Sequence, residues 1–199
     1  MKVILASRNR HKLEELSAIL RHLGMEVMLE SDVGLNIEVE ETGTTFEENS
    51  YLKAAAVLAA SGLPTIADDS GLMVDALGGA PGVYSARYGG IDDTKERNRY
   101  LLSNMKDVPE EKRTAKFVTV ITCLFPDGRK IVARGECPGR ILFAPAGENG
   151  FGYDPLFYVE EYGKTFAELP TEVKNSISHR ARALQDFCRQ YKEGFAYDK

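Results

Sequence analysis

The first thirty residues alternate between apolar and amphipathic segments, and this order restricts the fold more than any other feature of the chain. Residues 2–6 form a compact apolar run, and residues 25–29 form a second one. Between them, leucines recur at helical spacing before Gly24: Leu13, Leu16, Leu20 and Leu23. The pattern predicts a strand, a helix and a second strand, which together form a βαβ unit with a right-handed crossover.

The rest of the chain also contains both kinds of element. Thr45 and Glu48 have the spacing of a capping box and open an Ala-rich helix that ends near Ala60. Apolar runs and turn signals then predict further elements. In order, these are a buried strand at residues 64–67, a charged helix capped by Asp92 or Asp93 and ending near Met105, a β-hairpin of residues 115–125 and 130–136, a loop over 137–155 and a helix over 178–191.

This order of elements indicates an α/β protein in which helices cover a mixed β-sheet. A chain of 199 residues can bury roughly 70% of the surface that its unfolded form exposes, which is enough for a core without disulfides or a structural metal. We interpret residues 1–199 as one domain with room for two lobes.

The charge balance and the apolar segments exclude several classes of protein. The chain has 30 acidic and 25 basic residues, a formal net charge of −5 and a pI near 5.4. We expect no nucleic-acid partner, because such binding needs many Lys and Arg contacts to phosphates. No apolar stretch is long enough for a membrane span or a signal peptide, so we expect a cytoplasmic protein without a membrane partner. The cysteines form no CxxC pair and are interpreted as reduced thiols: Cys123, Cys137 and Cys188.

Two helix starts in this acidic protein are unusually cationic. The loop over residues 7–12 places Arg8, Arg10, Lys12 and a histidine at the start of the first helix, where the helix dipole is already positive. A bound anion, such as a phosphate, would relieve this repulsion. A second cationic group, Lys174, His179 and Arg180, lies just before and at the start of the last helix. The alternative for both segments is a basic surface exposed to solvent.

Adjacent carboxylates follow the strand predicted at residues 64–67. Asp68 and Asp69 come directly after it, and open α/β sheets usually build their sites at the carboxyl ends of strands. Magnesium is typically held by one or two protein carboxylates together with phosphate oxygens and water. A polar turn is the alternative. On the Ala-rich helix, Asn49 and Lys53 are four residues apart and share one face.

The segment Phe151-Gly152-Tyr153-Asp154-Pro155 combines aromatic rings with glycine. Such a loop can present a ring for stacking on a nucleobase and backbone groups for hydrogen bonds. Packing of the rings in the core is the alternative interpretation.

Five segments in this order resemble the inosine triphosphate pyrophosphatase family, whose members are also described as dITP/XTP pyrophosphatases. The resemblance covers nearly the whole chain. The segments are LASRNRHKLEEL (5–16), EETGTTFEENSYLKA (40–54), IADDSGLMVDALGGAPGVYSARY (66–88), PAGENGFGYDPLF (145–157) and EVKNSISHRARAL (172–184).

The resemblance implies an elongated mixed sheet in two lobes with a central cleft, and usually a homodimer. It also implies Mg²⁺-dependent hydrolysis of ITP, dITP and XTP to the nucleoside monophosphate and pyrophosphate. Glu41 and Asp69 would hold magnesium, and Asp69 would also be the candidate general base. The substrate-binding positions would be Ser7, Arg8, Asn9, Arg10, His11, Lys12, Lys53, Ser70, Phe151, Gly152, Tyr153, Asp154, Lys174, His179 and Arg180.

The chemistry of these residue types fits a reaction at phosphorus. Attack of water on a phosphoryl group needs positioning and charge neutralisation, which Mg²⁺ and lysines can supply. Asp69 could act as a base or mainly as a metal ligand. Arg180 could donate to the 6-keto oxygen of a deaminated purine. Two other hypotheses are a pyrophosphatase of the related Maf type acting on modified pyrimidine or other nucleotides, and a nucleotide-binding or regulatory protein without catalytic activity.

Overall fold

The computed structural model describes the backbone of residues 1–195, with all side chains except those of His11, Glu15 and Phe195. The chain forms two compact units. Among the described residues, the first comprises 1–69, 119–135 and 183–195, and the second comprises 70–118 and 136–182. Within the described residues, no helix combines the length and the apolar character needed to cross a membrane.

The chain begins with the predicted βαβ unit. Strand β1 (Lys2–Leu5) is followed by helix α1 (Arg10–Leu20), a 3₁₀ turn and strand β2 (Glu26–Leu29). β1 and β2 are parallel. Gly24 adopts φ 72° and ends the helical segment, because its N–H donates to a carbonyl of the preceding turn. The predicted order of strand, helix and parallel strand is confirmed, and the right-handed crossover stays a prediction.

Helix α2 (Phe46–Ser61) also begins where the sequence predicts. The Thr45 hydroxyl accepts from the Glu48 N–H, and the Glu48 carboxylate accepts from the Thr45 N–H, so the capping box is formed. Gly62 closes the helix with φ 65°.

Strand β3 extends much further than predicted. It runs over Thr65–Val74, and all its residues except Ser70 and Met73 are buried. Asp68 and Asp69 therefore lie inside a strand, and their predicted position after its end is wrong. The apolar run ends at Ala67, but lysines from other elements pair with both carboxylates and make their burial in the strand possible.

The middle of the chain forms helix α3 and a long hairpin. Asp93, one of the two predicted caps, accepts from the Glu96 N–H at the start of α3 (Thr94–Asn104). Strands β4 (Thr114–Leu124) and β5 (Lys130–Ile141) are neighbours in the sheet and follow one another across the predicted turn.

The loop predicted over residues 137–155 starts later than expected. β5 continues to Ile141, where it pairs with the antiparallel strand β6 (Phe157–Val159). A short strand β7 (Lys164–Thr165) and helix α4 (Thr171–Ile177), which the sequence pattern did not indicate, follow. The last helix, α5 (His179–Phe195), begins one position after the predicted Ser178.

The seven strands follow the order β2-β1-β3-β4-β5-β6-β7. The pairs involving β1 are parallel, and those involving β6 are antiparallel, so the sheet is mixed. The predicted α/β class and mixed sheet are confirmed. Each unit has its own apolar core, with Leu16, Ile121 and Phe187 in the first and Leu101, Phe157 and Phe166 in the second.

Candidate functional site

The first unit contains a lysine between two carboxylates. Lys53 Nζ lies 2.8 Å from Glu41 Oε1 and 3.3 Å from Asp69 Oδ1. All three side chains are largely shielded from solvent, with exposed fractions of 16% for Lys53, 27% for Glu41 and 11% for Asp69. Helix α2 positions Lys53, and β3 positions Asp69. The Asn49 side chain, on the same face of α2 as Lys53, accepts from the Gly43 N–H at 2.8 Å and holds the loop that carries Glu41.

Burial and neighbouring charges shift the protonation of this cluster. Burial raises the pKa of Asp69 above its ordinary value, and the Glu41 charge acts in the same direction, so together they outweigh the opposing effect of Lys53. Burial alone would lower the pKa of Lys53, but the charges of Asp69 and Glu41 outweigh it and raise that pKa. Lys53 is therefore a cation, while Asp69 accepts a proton more readily than an exposed aspartate.

The cluster has the composition of a magnesium site completed by phosphate. Asp69 Oδ2 is buried and makes no hydrogen bond to any part of the chain that the structure describes. An acceptor of this kind is costly to bury unless a cation or donor reaches it. Among the described residues, no three acidic, histidine or cysteine side chains converge as a complete metal cage. Magnesium needs only one or two carboxylates when substrate phosphates supply the remaining oxygens, so Glu41 and Asp69 fit the ion.

A second lysine of the first unit is paired with the other aspartate of β3. Lys12 Nζ lies 2.8 Å from Asp68 Oδ1. The Asp68 side chain is 3% exposed, and that of Lys12 is 24% exposed. Lys12 therefore keeps a fixed position near the surface, where an anion can still reach its ammonium group.

The loop before α1 is organised by its uncharged side chains. Ser7 Oγ accepts from the Asn9 N–H at 3.1 Å, and Asn9 Oδ1 accepts from the Lys12 N–H at 3.4 Å. Arg8 and Arg10 are exposed, and Arg8 lies 3.6 Å from the carboxylate of Glu38. The predicted His11 side chain lies outside the described part of the structure. The loop thus combines a fixed backbone with exposed cations.

The second unit contains a cavity of ≈260 Å³ whose lining combines aromatic and cationic side chains. Of the predicted site residues, those at its wall are Ser70, Phe151, Gly152, Tyr153, Asp154, His179 and Arg180. The remaining wall residues are Gly71, Ser85, Ala86, Thr94, Arg97 and Phe117. The sequence segments around Ser70, Phe151 and His179 are therefore brought together.

Lys174 is not among the described residues at this wall and supports it instead. Its Nζ lies 2.5 Å from Asp154 Oδ2, and both side chains are mostly buried. The same Asp154 oxygen accepts from the Phe151 N–H at 2.9 Å. Asp154 and Lys174 thus hold the turn that carries Phe151, whose ring is 68% exposed.

Aromatic rings shape the rest of the cavity. His179 is stacked on Phe117 with 4.9 Å between ring centroids and 15° between planes. The Tyr153 hydroxyl donates to the Ser85 carbonyl at 2.9 Å, and burial raises its pKa to about 12. Tyr153 is therefore a neutral wall residue. Flat apolar walls with a few polar groups suit a planar heterocycle.

Sequence reasoning missed two buried polar residues of α3 beside the cavity. Arg97 is 7% exposed and Asn98 is 8% exposed. Asn98 Nδ2 donates to the Gly152 carbonyl at 3.1 Å. Both residues lie in a helix whose sequence is rich in charged residues and predicts exposure to solvent. No local sequence pattern could therefore have distinguished them.

Known proteins resemble this chain over nearly its whole length. The family model described as the Ham1 family matches residues 3–190. A dITP/XTP pyrophosphatase of Thermus thermophilus is 53% identical over 98% of this chain and 93% of its own length. A dITP/XTP pyrophosphatase of Mannheimia succiniciproducens is 54% identical over 92% of this chain and 94% of its own length.

A solved structure is also similar to this chain over nearly its whole length. The Staphylococcus aureus Ham1 protein aligns with a TM-score of 0.90 at 40% identity, over 98% of this chain and 99% of its own. The resemblance stated from the five sequence segments is thereby confirmed. The chain belongs to the Ham1 family.

Proposed function

We propose that this protein is a hydrolase of deaminated purine nucleoside triphosphates, namely ITP, dITP and XTP, and that it produces the monophosphate and pyrophosphate with Mg²⁺. The names of its relatives support the substrate class. The observation that carries the proposal is the buried arrangement of Lys53 between Glu41 and Asp69. Such a cluster suits a ligand that brings both negative charge and a divalent cation.

The triphosphate would bind to the cationic groups of the first unit. Lys12, Lys53 and the N–H groups at the start of α1 can neutralise phosphate oxygens. Ser7 and Asn9 keep the loop in shape. Arg8 lies in this loop, Arg10 and His11 open α1, and we expect all three to add phosphate contacts.

Magnesium would be held by Glu41 and Asp69. When bound, it neutralises phosphate charge and polarises the bond that is cleaved. The ion would take over the carboxylates that Lys53 now contacts, and Lys53 would be free to turn towards a phosphate.

Asp69 is the group best placed to take a proton from the attacking water. Water attacks the α-phosphorus, the bond to the bridging oxygen breaks, and pyrophosphate leaves with that oxygen. Burial raises the pKa of Asp69 in the metal-free cluster. A bound Mg²⁺ would oppose this shift and would itself lower the pKa of the attacking water. The lysines stabilise the charge that develops on the leaving group.

The purine would occupy the cavity of the second unit, where Phe151 offers an exposed ring for stacking. Arg180 and His179 can donate to the 6-keto oxygen of hypoxanthine or xanthine. Adenine presents an amino group there and would leave a buried donor unpaired, which costs about 1–3 kcal/mol. Ser70 would contact the nucleotide from β3.

The test is a product assay with dITP, XTP and dUTP in the presence of Mg²⁺. Release of pyrophosphate from dITP and XTP is expected, with weak turnover of dUTP. A preference for dUTP would favour a Maf-type activity, and Mg²⁺-dependent binding of ITP without pyrophosphate release would favour a non-catalytic nucleotide-binding protein. The homodimer implied by the resemblance stays a prediction, which the molar mass in solution tests.

A further inference from the structure

The turn over residues 150–154, which contributes to the cavity wall of the second unit, contains two glycines in left-handed conformations. Gly150 has φ 76° and Gly152 has φ 62°. Glycine has no side chain with which to pack, and it loses more conformational freedom on folding than any other residue. The shape of this turn therefore depends on hydrogen bonds from its neighbours.

The turn has an anchor on each of two helices. On the α4 side, Lys174 pairs with Asp154, which accepts from the Phe151 N–H. On the α3 side, Asn98 Nδ2 donates to the Gly152 carbonyl at 3.1 Å. Gly152 lies between two further cavity residues, Phe151 and Tyr153, so the Asn98 contact acts on the part of the turn that would face the purine.

The backbone that carries Asn98 is held in place by hydrogen bonds. The neighbouring Arg97 donates from Nη1 to the carbonyls of Ala86, Ile91 and Asp92 at 2.8, 3.0 and 3.2 Å. These bonds fix the first turn of α3 against the segment before it. A side chain on a rigid helix turn can fix the position of its hydrogen-bond partner closely.

The contact contributes little to the stability of the fold. Asn98 is 8% exposed, and its Oδ1 has no hydrogen-bond partner in the described part of the chain. The stabilisation from the neutral hydrogen bond of Asn98 to Gly152 is no larger than the cost of burying its unpaired Oδ1. An apolar side chain in its place removes the unpaired Oδ1, and the carbonyl of Gly152, a half-buried residue, can accept from water instead. Such a side chain would cost the fold little, but it could not hold Gly152.

We propose that Asn98 is a positioning residue for purine binding: through the Gly152 carbonyl it fixes the turn that carries Phe151 and Tyr153. The proposal rests on the proposed function, because it takes the cavity as the purine site. Asn98 lies outside the groups assigned to phosphate binding and proton transfer. Its loss should therefore weaken nucleotide binding and leave the chemical step unchanged.

The test compares Asn98→Leu with Asn104→Leu. Asn104 is an asparagine of the same helix whose amide donates to the Tyr88 hydroxyl at 3.2 Å and does not reach the turn. For N98L we expect the KM for dITP to rise about 3- to 10-fold, the effect of one lost hydrogen bond, with kcat within about twofold and Tm close to wild type. The control N104L should keep the wild-type KM.

Hydrogen exchange of the peptide that covers residues 150–154 gives a readout that does not depend on turnover. N98L should exchange faster there, and N104L should not. An unchanged KM together with unchanged exchange in N98L would overturn the proposal, as would an equal rise of KM in N104L. If N98L does not fold, Asn98→Ala replaces it with the same expectations for KM and exchange. Failure of the wild type to release pyrophosphate from dITP would instead overturn the proposed function.

Discussion

Lys12 and Asp68 form an ion pair with 2.8 Å between Nζ and Oδ1, and the Asp68 side chain is 3% exposed. The sequence pattern made Asp68 a candidate for a magnesium site or a polar turn, and the family resemblance assigned it no role. The pair gives Asp68 a specific role: it holds the ammonium of Lys12 in place in the first turn of α1, next to the loop that we propose binds phosphate. Lys12 and Asp68 should therefore behave as a unit.

A double-mutant cycle tests this coupling. Asp68→Asn should lower kcat/KM for dITP because Lys12 loses its orienting partner. In a Lys12→Ala background the same change should have little further effect. We expect a coupling energy of about 0.5–3 kcal/mol, as is usual for residues in direct contact. Strictly additive losses in steady-state kinetics would show that Asp68 acts independently of Lys12.

Removal of the Lys12 ammonium alone should weaken catalysis. Lys12→Ala is expected to lower kcat/KM for dITP about 10- to 100-fold, because a hydrogen bond to a charged group contributes about 1.5–3 kcal/mol. Lys116→Ala is the matched control, since Lys116 also pairs with a carboxylate at 2.8 Å, that of Glu136, but lies outside the site. An unchanged kcat/KM in K12A would remove Lys12 from the phosphate site.

Asp69→Asn should abolish turnover and make the metal-free protein more stable at neutral pH. Burial raises the pKa of Asp69 above the ordinary value of 3.8, so its ionisation opposes folding at neutral pH. As the pH falls through this raised pKa, the carboxyl becomes protonated in the wild type and the advantage of D69N shrinks. Thermal unfolding of both proteins from about pH 4 to about pH 8, where buried carboxyls titrate, measures how the stability difference changes with pH. Near-normal turnover in D69N would refute the catalytic role.

The same variant should respond less to magnesium. Mg²⁺ that binds only the folded protein raises its Tm, and D69N removes one of the two proposed ligands. Wild type should gain stability with added Mg²⁺ and D69N should gain less. The Lys116→Ala control should match wild type in this titration. An equal response of D69N and wild type would place the ion elsewhere.

Lys174→Met should destabilise the second unit. Asp154 is 2% exposed, and without the Lys174 ammonium its buried charge would lose the ion pair that the structure shows for it. Loss of one member of a buried ion pair costs about 3–5 kcal/mol. Urea unfolding should show this loss, and the double variant with Asp154→Asn should recover part of it. Full stability of K174M alone would mean that solvent already screens Asp154.

The accuracy of the sequence predictions differed between elements for identifiable reasons. The βαβ unit and α2 were predicted well because local signals define them: leucine spacing with Gly24, and the capping box of Thr45 and Glu48. β3 and β5 were predicted too short because both continue past their apolar runs. α4 was missed because seven residues (Thr171–Ile177) are too few for a helical pattern.

For the candidate site too, some features could be predicted from the sequence and others could not. Motif segments were sufficient to name Lys12, Lys53 and Asp69, since their residue types and order are visible in the chain. The pairing of Lys12 with Asp68, and of Lys53 with both Glu41 and Asp69, joins residues that are far apart in sequence or lie on different elements. No local pattern encodes such distances.

By itself, the sequence determined the α/β class, the family and the residue types available for binding a polyanion with magnesium. The tertiary structure decided how readily those residues take up a proton and which neighbouring side chains hold the site in place. It buried Asp69 and raised its pKa, and it placed Lys174 behind the turn of the cavity and Asn98 against Gly152. The physical reason is that burial and long-range contacts set protonation and position, and both arise only when the strands and helices pack together.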